Sequence, residues 1–219
     1  RSAGRFQAVP LPTADAILRS QAGIVEMRSY LRDIVRDRRA NPREDLISEL
    51  VALEIEGDRL AEDELLSTCL TLLVAGHETT TNLIGSAVWL LLRHPGERAR
   101  LKAEPALMAS AIEEVLRFES PLHGVGRTAL ADAEVAGTRI RKGETVFLLL
   151  ASANRHPAQF AGPDTFDVGR TPNKHIAFGY GIHFCLGAAL ARLEAPIALT
   201  AFFERWPNAR LRDTPLDWH

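Results

Sequence analysis

A glycine-rich loop with one cysteine constrains this chain more than any other segment. Residues 178–187 read FGYGIHFCLG, and a run typical of a helix, AALARLE, follows directly. Glycines adopt backbone angles that other residues avoid, and they let a flat ligand approach the main chain closely. The first turn of a helix presents unpaired N–H groups, which favour a nearby negative charge. The pattern in this segment, the Cys loop, therefore predicts that Cys185 is held as a metal-binding thiolate.

The Cys loop resembles the haem-binding signature of the cytochrome P450 family, F-G-x-G-x-H-x-C-x-G, and every fixed position is filled. The alternative for one cysteine among apolar residues is a small buried core residue, which the surrounding loop disfavours. The resemblance implies a haem b whose iron is bound by the sulfur of Cys185. It also implies that Phe178 and Gly179 are cofactor-binding residues, with Phe178 packed near the sulfur, and that His183 binds a propionate.

A polar patch interrupts the long apolar run of residues 62–93. The sequence there is GHETTT from Gly76 onward, and polar groups in a buried apolar surface need a reason. In the family, a matching pattern lies over the distal face of the haem. The resemblance implies that Gly76 flanks the oxygen site, and that Glu78 and Thr79 relay protons as acid and hydroxyl. The alternatives are a helix face in water and a zinc-protease H-E-x-x-H motif, but Thr81 replaces the second histidine of that motif.

A carboxylate and a guanidinium one helical turn apart form a third motif. Glu114 and Arg117 stand at i and i+3 of a predicted helix, where such a pair is usually surface decoration. The family, however, carries an E-x-x-R pair that locks the loops beneath the haem. Its usual third member is an arginine in a P-E/D-R-F pattern, where this chain has Thr165, so Arg170 is a candidate substitute. The resemblance also implies that Arg127 binds a haem propionate.

Composition describes a folded globular chain. Its 219 residues are 46% hydrophobic and 25% charged, with a net charge of −2, which offers no basic footprint for nucleic acid. The two cysteines are too few for a disulfide framework or a structural zinc site, so we expect a cytoplasmic location, with Cys69 in the core. We expect no membrane span, because no apolar run approaches the roughly 20 residues that a bilayer requires.

The hydrophobic pattern predicts a mainly α chain with a small β-sheet. The resemblance implies the cytochrome P450 fold, truncated at the N terminus and at the extreme C terminus, with residues 1–219 forming one partial catalytic domain. One apolar stripe should bury the first helix, and Pro196 should kink the last. We predict helices over 14–39, 45–54, 62–93, 97–104 and 105–118, a sheet over about 126–150, a meander over about 151–177, and the Cys loop with its helix over about 178–204.

The resemblance implies a soluble, bacterial-type haem-thiolate monooxygenase. It would insert one atom of O2 into a lipophilic small molecule, with electrons from a ferredoxin and ferredoxin reductase. A peroxide-driven hydroxylase is the nearer alternative, and a haem-poor scaffold that activates a partner enzyme is the more distant one. The substrate stays open, although residues 122–125 are candidates to line its pocket. Five basic residues form a candidate docking face for an acidic electron donor, with scattered surface charge as the alternative: Arg98, Arg100, Lys102, Lys174 and Arg192.

Overall fold

The computed structural model describes residues 14–55 and 58–212, and the chain divides into two compact units, residues 1–77 and 78–219. Helices dominate the described residues and the strands are short, which confirms the predicted fold class. The helices are α1 (Ala14–Ala40), α2 (Leu46–Ala52), α3 (Glu62–Arg93), α4 (Pro95–Ala103), α5 (Met108–Phe118), α6 (Leu150–Ala153) and α7 (Ala188–Arg205). The strands are β1 (Glu54–Ile55), β2 (Asp58–Arg59), β3 (Val125–Thr128), β4 (Ala133–Val135), β5 (Thr138–Ile140) and β6 (Thr145–Leu148).

The first unit packs α1 against α2 and the beginning of α3. Its buried apolar cluster confirms Cys69 as a core residue and consists of Leu31, Val35, Leu65, Leu66 and Cys69. The apolar stripe predicted for α1 is only partly correct, because Ile24 and Val25 are 45% and 68% exposed. Among the side chains that the structure describes, the cluster meets α1 from Met27 onward, and Ile24 and Val25 lie outside it.

The second predicted helix begins later and ends earlier than expected. Asp45 is the N-cap of α2, and its carboxylate accepts a hydrogen bond from the backbone N–H of Ser48 at 2.9 Å. Glu54, which was predicted to be helical, instead pairs with Arg59 in an antiparallel ladder. The turn predicted at residues 56–58 falls largely outside the described residues.

The hydrophobic core of the second unit is built by four helices and the meander. The later part of α3 contributes Leu83, Ala87, Leu90 and Leu91, and α4, α5 and α7 pack around these positions. Pro95 begins α4 two residues earlier than predicted, because a helix does not need the N–H of its first residue. The predicted helix over residues 105–118 is split into a single 3₁₀ turn, Pro105–Leu107, and α5.

The strands of the second unit form two separate ladders, which corrects the prediction of one sheet. β3 pairs with β6, and β4 pairs with β5, both antiparallel. Ala136 and Gly137 have φ of 49° and 77°, so the β4–β5 turn has the positive backbone angles of a tight hairpin. Among the described strands, β4 and β5 pair only with each other. The last strand ends at Leu148 instead of residue 150, because Leu150 begins α6. Residues 151–153, predicted to begin the meander, are helical in α6, and turns and loops follow from there to the Cys loop.

Candidate functional site

Backbone hydrogen bonds close the Cys loop on itself. The N–H of Cys185 donates to the carbonyl oxygen of Phe178 at 2.8 Å. Gly179 and Gly181 have φ of +75° and +67°, in the left-handed region that glycine tolerates best. A Cβ on residue 179 would also lie 3.2 Å from the carbonyl oxygen of His183. The glycines of the motif therefore have a structural cause in the shape of the loop.

The thiol of Cys185 is exposed and lies just before the N terminus of α7. Gly187 is the N-cap of that helix and brings no side chain to satisfy its first N–H groups. A Cβ at Gly187 would lie 3.9 Å from the sulfur. The flanking side chains are large, apolar and exposed, with Ile182 at 97%, Phe184 at 53% and Leu186 at 88%. A free sulfur among exposed apolar side chains suits a flat, apolar ligand.

Glu114 and Arg117 form a buried ion pair instead of a surface pair. Both side chains are 0% exposed, and two parallel hydrogen bonds of 2.8 Å join the guanidinium to the carboxylate. The remaining N–H groups of Arg117 donate to the carbonyl oxygens of Asn154, Pro163 and Thr165, at 3.0, 2.8 and 3.2 Å. One arginine on α5 thus ties together three points of the meander.

Arg170 completes this cluster, as the sequence allowed. Its Nε lies 3.1 and 3.0 Å from the two carboxylate oxygens of Glu114. Its other nitrogens donate to the carbonyl oxygens of Ala161, Gly162 and Thr165. Thr165 therefore takes part through its main chain, and the absence of an arginine at position 165 leaves no gap in the ion-pair cluster of Glu114, Arg117 and Arg170.

The polar patch of α3 is on an exposed surface. Residues 73–78 are all exposed, and Leu73 and Val74 are 46% and 59% exposed. The premise that polar groups here interrupt a buried surface is therefore wrong for the described residues. Glu78 is exposed and Thr79 is half-buried, and a Cβ at Gly76 would meet no atom within 4 Å. The patch is an open polar surface on a helix with large apolar neighbours.

Comparison with known proteins connects these features. The sequence model of the cytochrome P450 family matches residues 21–209. The chain belongs to the cytochrome P450 family. The biotin biosynthesis cytochrome P450 of Bacillus subtilis (strain 168) is 46% identical over 189 residues, covering 86% of this chain and 48% of the relative. The cytochrome P450 monooxygenase PikC of Streptomyces venezuelae is 44% identical over 204 residues, covering 91% of this chain and 49% of the relative.

Solved P450 structures share the fold. P450BioI, in complex with acyl carrier protein ligated to hexadec-9Z-enoic acid, has a TM-score of 0.86 and 43% identity, covering 92% of this chain and 52% of that one. CYP109E1 from Bacillus megaterium, in complex with testosterone, has a TM-score of 0.86 and 38% identity, covering 92% and 56%. This P450 chain spans about half the length of the curated relatives that it matches.

The family implies a haem with a thiolate ligand, and the Cys loop fits such a group. The loop supplies a free exposed thiol, a main chain without a side chain at Gly179, and apolar side chains around the sulfur. Phe178 is half-buried, with its ring centroid 6.3 Å from that of Phe184. His183 and Arg127 are exposed, and Arg127 lies on β3, where its Nη1 donates to the carbonyl oxygen of Gly126 at 2.8 Å.

A second hydrogen-bond network, close to the Cys loop, was not predicted from the sequence. Glu113 of α5 accepts two hydrogen bonds from Arg192 of α7, at 2.7 and 2.8 Å, and lies 3.0 Å from Nε2 of His175 in the meander. Burial opposes ionisation of Glu113, but the bonds from Arg192 and His175 outweigh it and lower its pKa to about 2. The guanidinium of Arg192 lies over the ring of Phe178, 4.6 Å from its centroid. We call Glu113, His175 and Arg192 the Glu113 network.

Asn154 is a further structural residue that the sequence did not single out. It is 1% exposed, and its amide oxygen accepts from the backbone N–H of Ile176 at 2.8 Å. Its amide nitrogen donates to the hydroxyl of Ser120 at 2.9 Å. Asn154 therefore joins the start of the meander to the residues that lead into the Cys loop. A single asparagine among loop residues carries no local signal of this role.

The predicted docking face is partly occupied by internal contacts. Arg98 donates to the carbonyl oxygens of Pro207 and Ala209, Arg100 pairs with Asp167 at 2.8 Å, and Arg192 belongs to the Glu113 network. Lys102 and Lys174 are exposed.

Among the described helices, none combines the length and the apolar character needed to cross a bilayer.

Proposed function

We propose that this P450 acts as a haem-thiolate monooxygenase that inserts one oxygen atom from O2 into a lipophilic small molecule. The observation that carries the proposal is the free, exposed thiol of Cys185 in a glycine-shaped loop ahead of α7. The proposal takes the chain as one partial catalytic domain with haem b as its cofactor. It assigns the protein to the cytoplasm, in keeping with its two cysteines, both of them free.

In this proposal, four residues hold the haem. Cys185 would bind the iron through its thiolate, and the bound group would supply the redox and oxygen chemistry. Phe178 accepts the N–H of Cys185 through its main chain, and so holds the backbone of the cysteine. Arg127 and His183 supply exposed donors for the two propionates, and a guanidinium matches a carboxylate with paired hydrogen bonds. Gly179 leaves the main chain without a side chain where the haem would approach the Cys loop.

The proposed proton relay lies on α3. Glu78 is an exposed carboxylate and Thr79 a half-buried hydroxyl one position further. The carboxylate takes protons from water, and the hydroxyl donates to and accepts from groups in the site, so the pair moves protons inward. Gly76 precedes them and leaves space beside the helix, where a Cβ would meet nothing within 4 Å.

The cluster of Glu114, Arg117 and Arg170 is proposed as the support of the site. Its bonds fix the meander, whose last residues run into the Cys loop. A buried ion pair holds position well when all its remaining donors are satisfied, and here they meet main-chain carbonyl oxygens. Its role is therefore to hold the loops beneath the haem, with no part in the chemistry.

The ligands of two solved relatives support a class of substrate for this P450. The solved P450BioI carries a fatty acyl chain on acyl carrier protein, and CYP109E1 carries testosterone. Both ligands are lipophilic, which supports a lipophilic substrate for this P450. Leu122 is 45% exposed and stands just before β3, so residues 122–125 are the proposed contribution of this chain to the substrate pocket. A ferredoxin-type donor is proposed as the source of electrons.

The test is spectroscopic. The protein is loaded with haem, reduced and treated with CO, and we expect the Soret shift that is typical of a thiolate ligand. Cys185→Ser should abolish the shift, and Cys69→Ser is the matched control, because that cysteine lies in the core of the first unit. A parent protein that binds haem without the shift would reject the monooxygenase and favour a haem-poor scaffold. Turnover supported better by peroxide than by a reduced ferredoxin would favour the peroxide-driven alternative.

A further inference from the structure

The Glu113 network joins three separate parts of the fold beside the Cys loop. Glu113 lies on α5, His175 in the meander and Arg192 on α7, and the two residues that bond to Glu113 are 62 and 79 positions away in sequence. His175 is nearly buried, with 3% of its side chain exposed, while 27% of Glu113 and 41% of Arg192 are exposed. A guanidinium that makes paired bonds to a half-buried carboxylate keeps a defined position.

The position of Arg192 connects this network to the sulfur. Its guanidinium stacks on the ring of Phe178, and the carbonyl oxygen of Phe178 receives the N–H of Cys185. The hydrogen bonds to Glu113 raise the pKa of Arg192, burial opposes this effect, and the charge of Glu113 reinforces it. Arg192 is therefore a positive charge held against Phe178, the residue whose carbonyl oxygen accepts the N–H of Cys185.

We propose that Arg192 is a positioning residue for Cys185. Glu113 and His175 hold the guanidinium against Phe178, where it steadies the Cys loop and presents a positive charge to the sulfur. The inference deepens the proposed function and rests on it, since the charge matters to a haem ligand only if Cys185 binds the iron. It assigns to Arg192 an internal role in place of the docking role that the sequence suggested.

The first test uses the protein without haem. Alkylation of Cys185 is followed by peptide mass spectrometry, which reads Cys69 and Cys185 separately, with neutral iodoacetamide and anionic iodoacetate at one fixed pH. The same thiolate attacks both reagents and displaces iodide from each, so the ratio of the two rates cancels accessibility and reports the local electric potential. Arg192→Gln should lower the iodoacetate-to-iodoacetamide ratio about two- to fivefold, as expected on removing one unit charge near a partly exposed site.

Two variants make this test decisive. Arg192→Lys keeps the charge without the paired bonds, and it should retain most of the parent ratio. Arg139→Gln is the matched control, because Arg139 is an exposed arginine paired with Asp132 at 2.8 Å on the β4–β5 hairpin. An unchanged ratio in Arg192→Gln, or an equal fall in Arg139→Gln, would overturn the proposal.

The second test uses the haem-loaded protein. Removing a positive charge near the ligand disfavours the added electron, so Arg192→Gln should have a more negative reduction potential than the parent and Arg139→Gln should not. A thiolate Soret band with an unchanged potential in Arg192→Gln would reject the role of Arg192 and leave the proposed function intact. A parent without that band would reject the proposed function, while the alkylation ratio would still decide the role of Arg192.

Discussion

Replacement of Arg117 by lysine is the sharpest perturbation of the ion-pair cluster of Glu114, Arg117 and Arg170. The substitution keeps one positive charge in a position that is 0% exposed, so the charge of the buried pair is preserved. It removes the planar fork that makes five hydrogen bonds, two to Glu114 and three to main-chain carbonyl oxygens. Any loss of stability therefore measures geometry and not charge.

The size of the effect follows from the number of donors. A lysine ammonium has three N–H groups, so at least two of the five hydrogen bonds are lost. A hydrogen bond to a charged group contributes about 1.5–3 kcal/mol, which gives a loss of about 3–6 kcal/mol in the free energy of unfolding. Folded domains are stable by about 5–15 kcal/mol, so Arg117→Lys should be severely destabilised.

Urea denaturation followed by tryptophan fluorescence measures this loss. All three tryptophans fall in residues 78–219, so the signal reports the unit that contains the cluster. With a slope of about 1–3 kcal/mol per molar urea, the midpoint should fall by about 1 M or more. Arg139→Lys, at an ion pair that is 73% and 54% exposed, should cost under about 1 kcal/mol. If the two variants unfold at similar urea concentrations, the reasoning about the fork is wrong.

Three further substitutions test other parts of the fold. Gly179→Ala should cost about 1–3 kcal/mol and reduce the thiolate Soret band, because φ is +75° and a Cβ would lie 3.2 Å from the carbonyl oxygen of His183; normal folding and haem binding would contradict this. Glu113 should stabilise the parent above its ordinary pKa of 4.5, and that contribution should be lost as the pH falls towards about 2, whereas Glu113→Gln should lack this loss in acid denaturation. Asn154→Ala should lower the urea midpoint by the equivalent of about 2 kcal/mol, since the half-buried N–H of Ile176 loses its acceptor; an unchanged midpoint would contradict it.

Local features of the site were predictable from the sequence because their causes are local. The left-handed angles of Gly179 and Gly181 belong to single residues, and the helix after the loop follows from its own composition. Glu114 and Arg117 are also one turn apart on a single helix, so their contact is set by helix geometry. Their complete burial was not predictable from the pair alone, since it depends on carbonyl oxygens that the meander supplies.

Partners that are distant in sequence were predicted poorly, because their contacts depend on the tertiary fold and not on local sequence. Arg170 lies 56 residues after Glu114, and the sequence offered it only as one substitute for the missing arginine at position 165. The Glu113 network joins residues 62 and 79 positions apart, and nothing in the local pattern distinguishes Glu113 from an ordinary surface carboxylate. The pairing of β3 with β6 was likewise hidden, since the strand pattern gives the strands and not their partners.

The exposed patch of α3 shows why burial must be argued from neighbours. Leu73 and Val74 are as apolar as Leu90 and Leu91, yet the first two are 46% and 59% exposed and the other two are buried. The difference lies in what packs against each part of the helix, because the core of the second unit reaches α3 only from Leu83 onward. Large exposed apolar residues beside Glu78 and around Cys185 support the proposal that these two surfaces bind other groups. The proposed relay and the proposed haem ligand therefore share one property, an apolar setting that a bound partner would turn into a dry site.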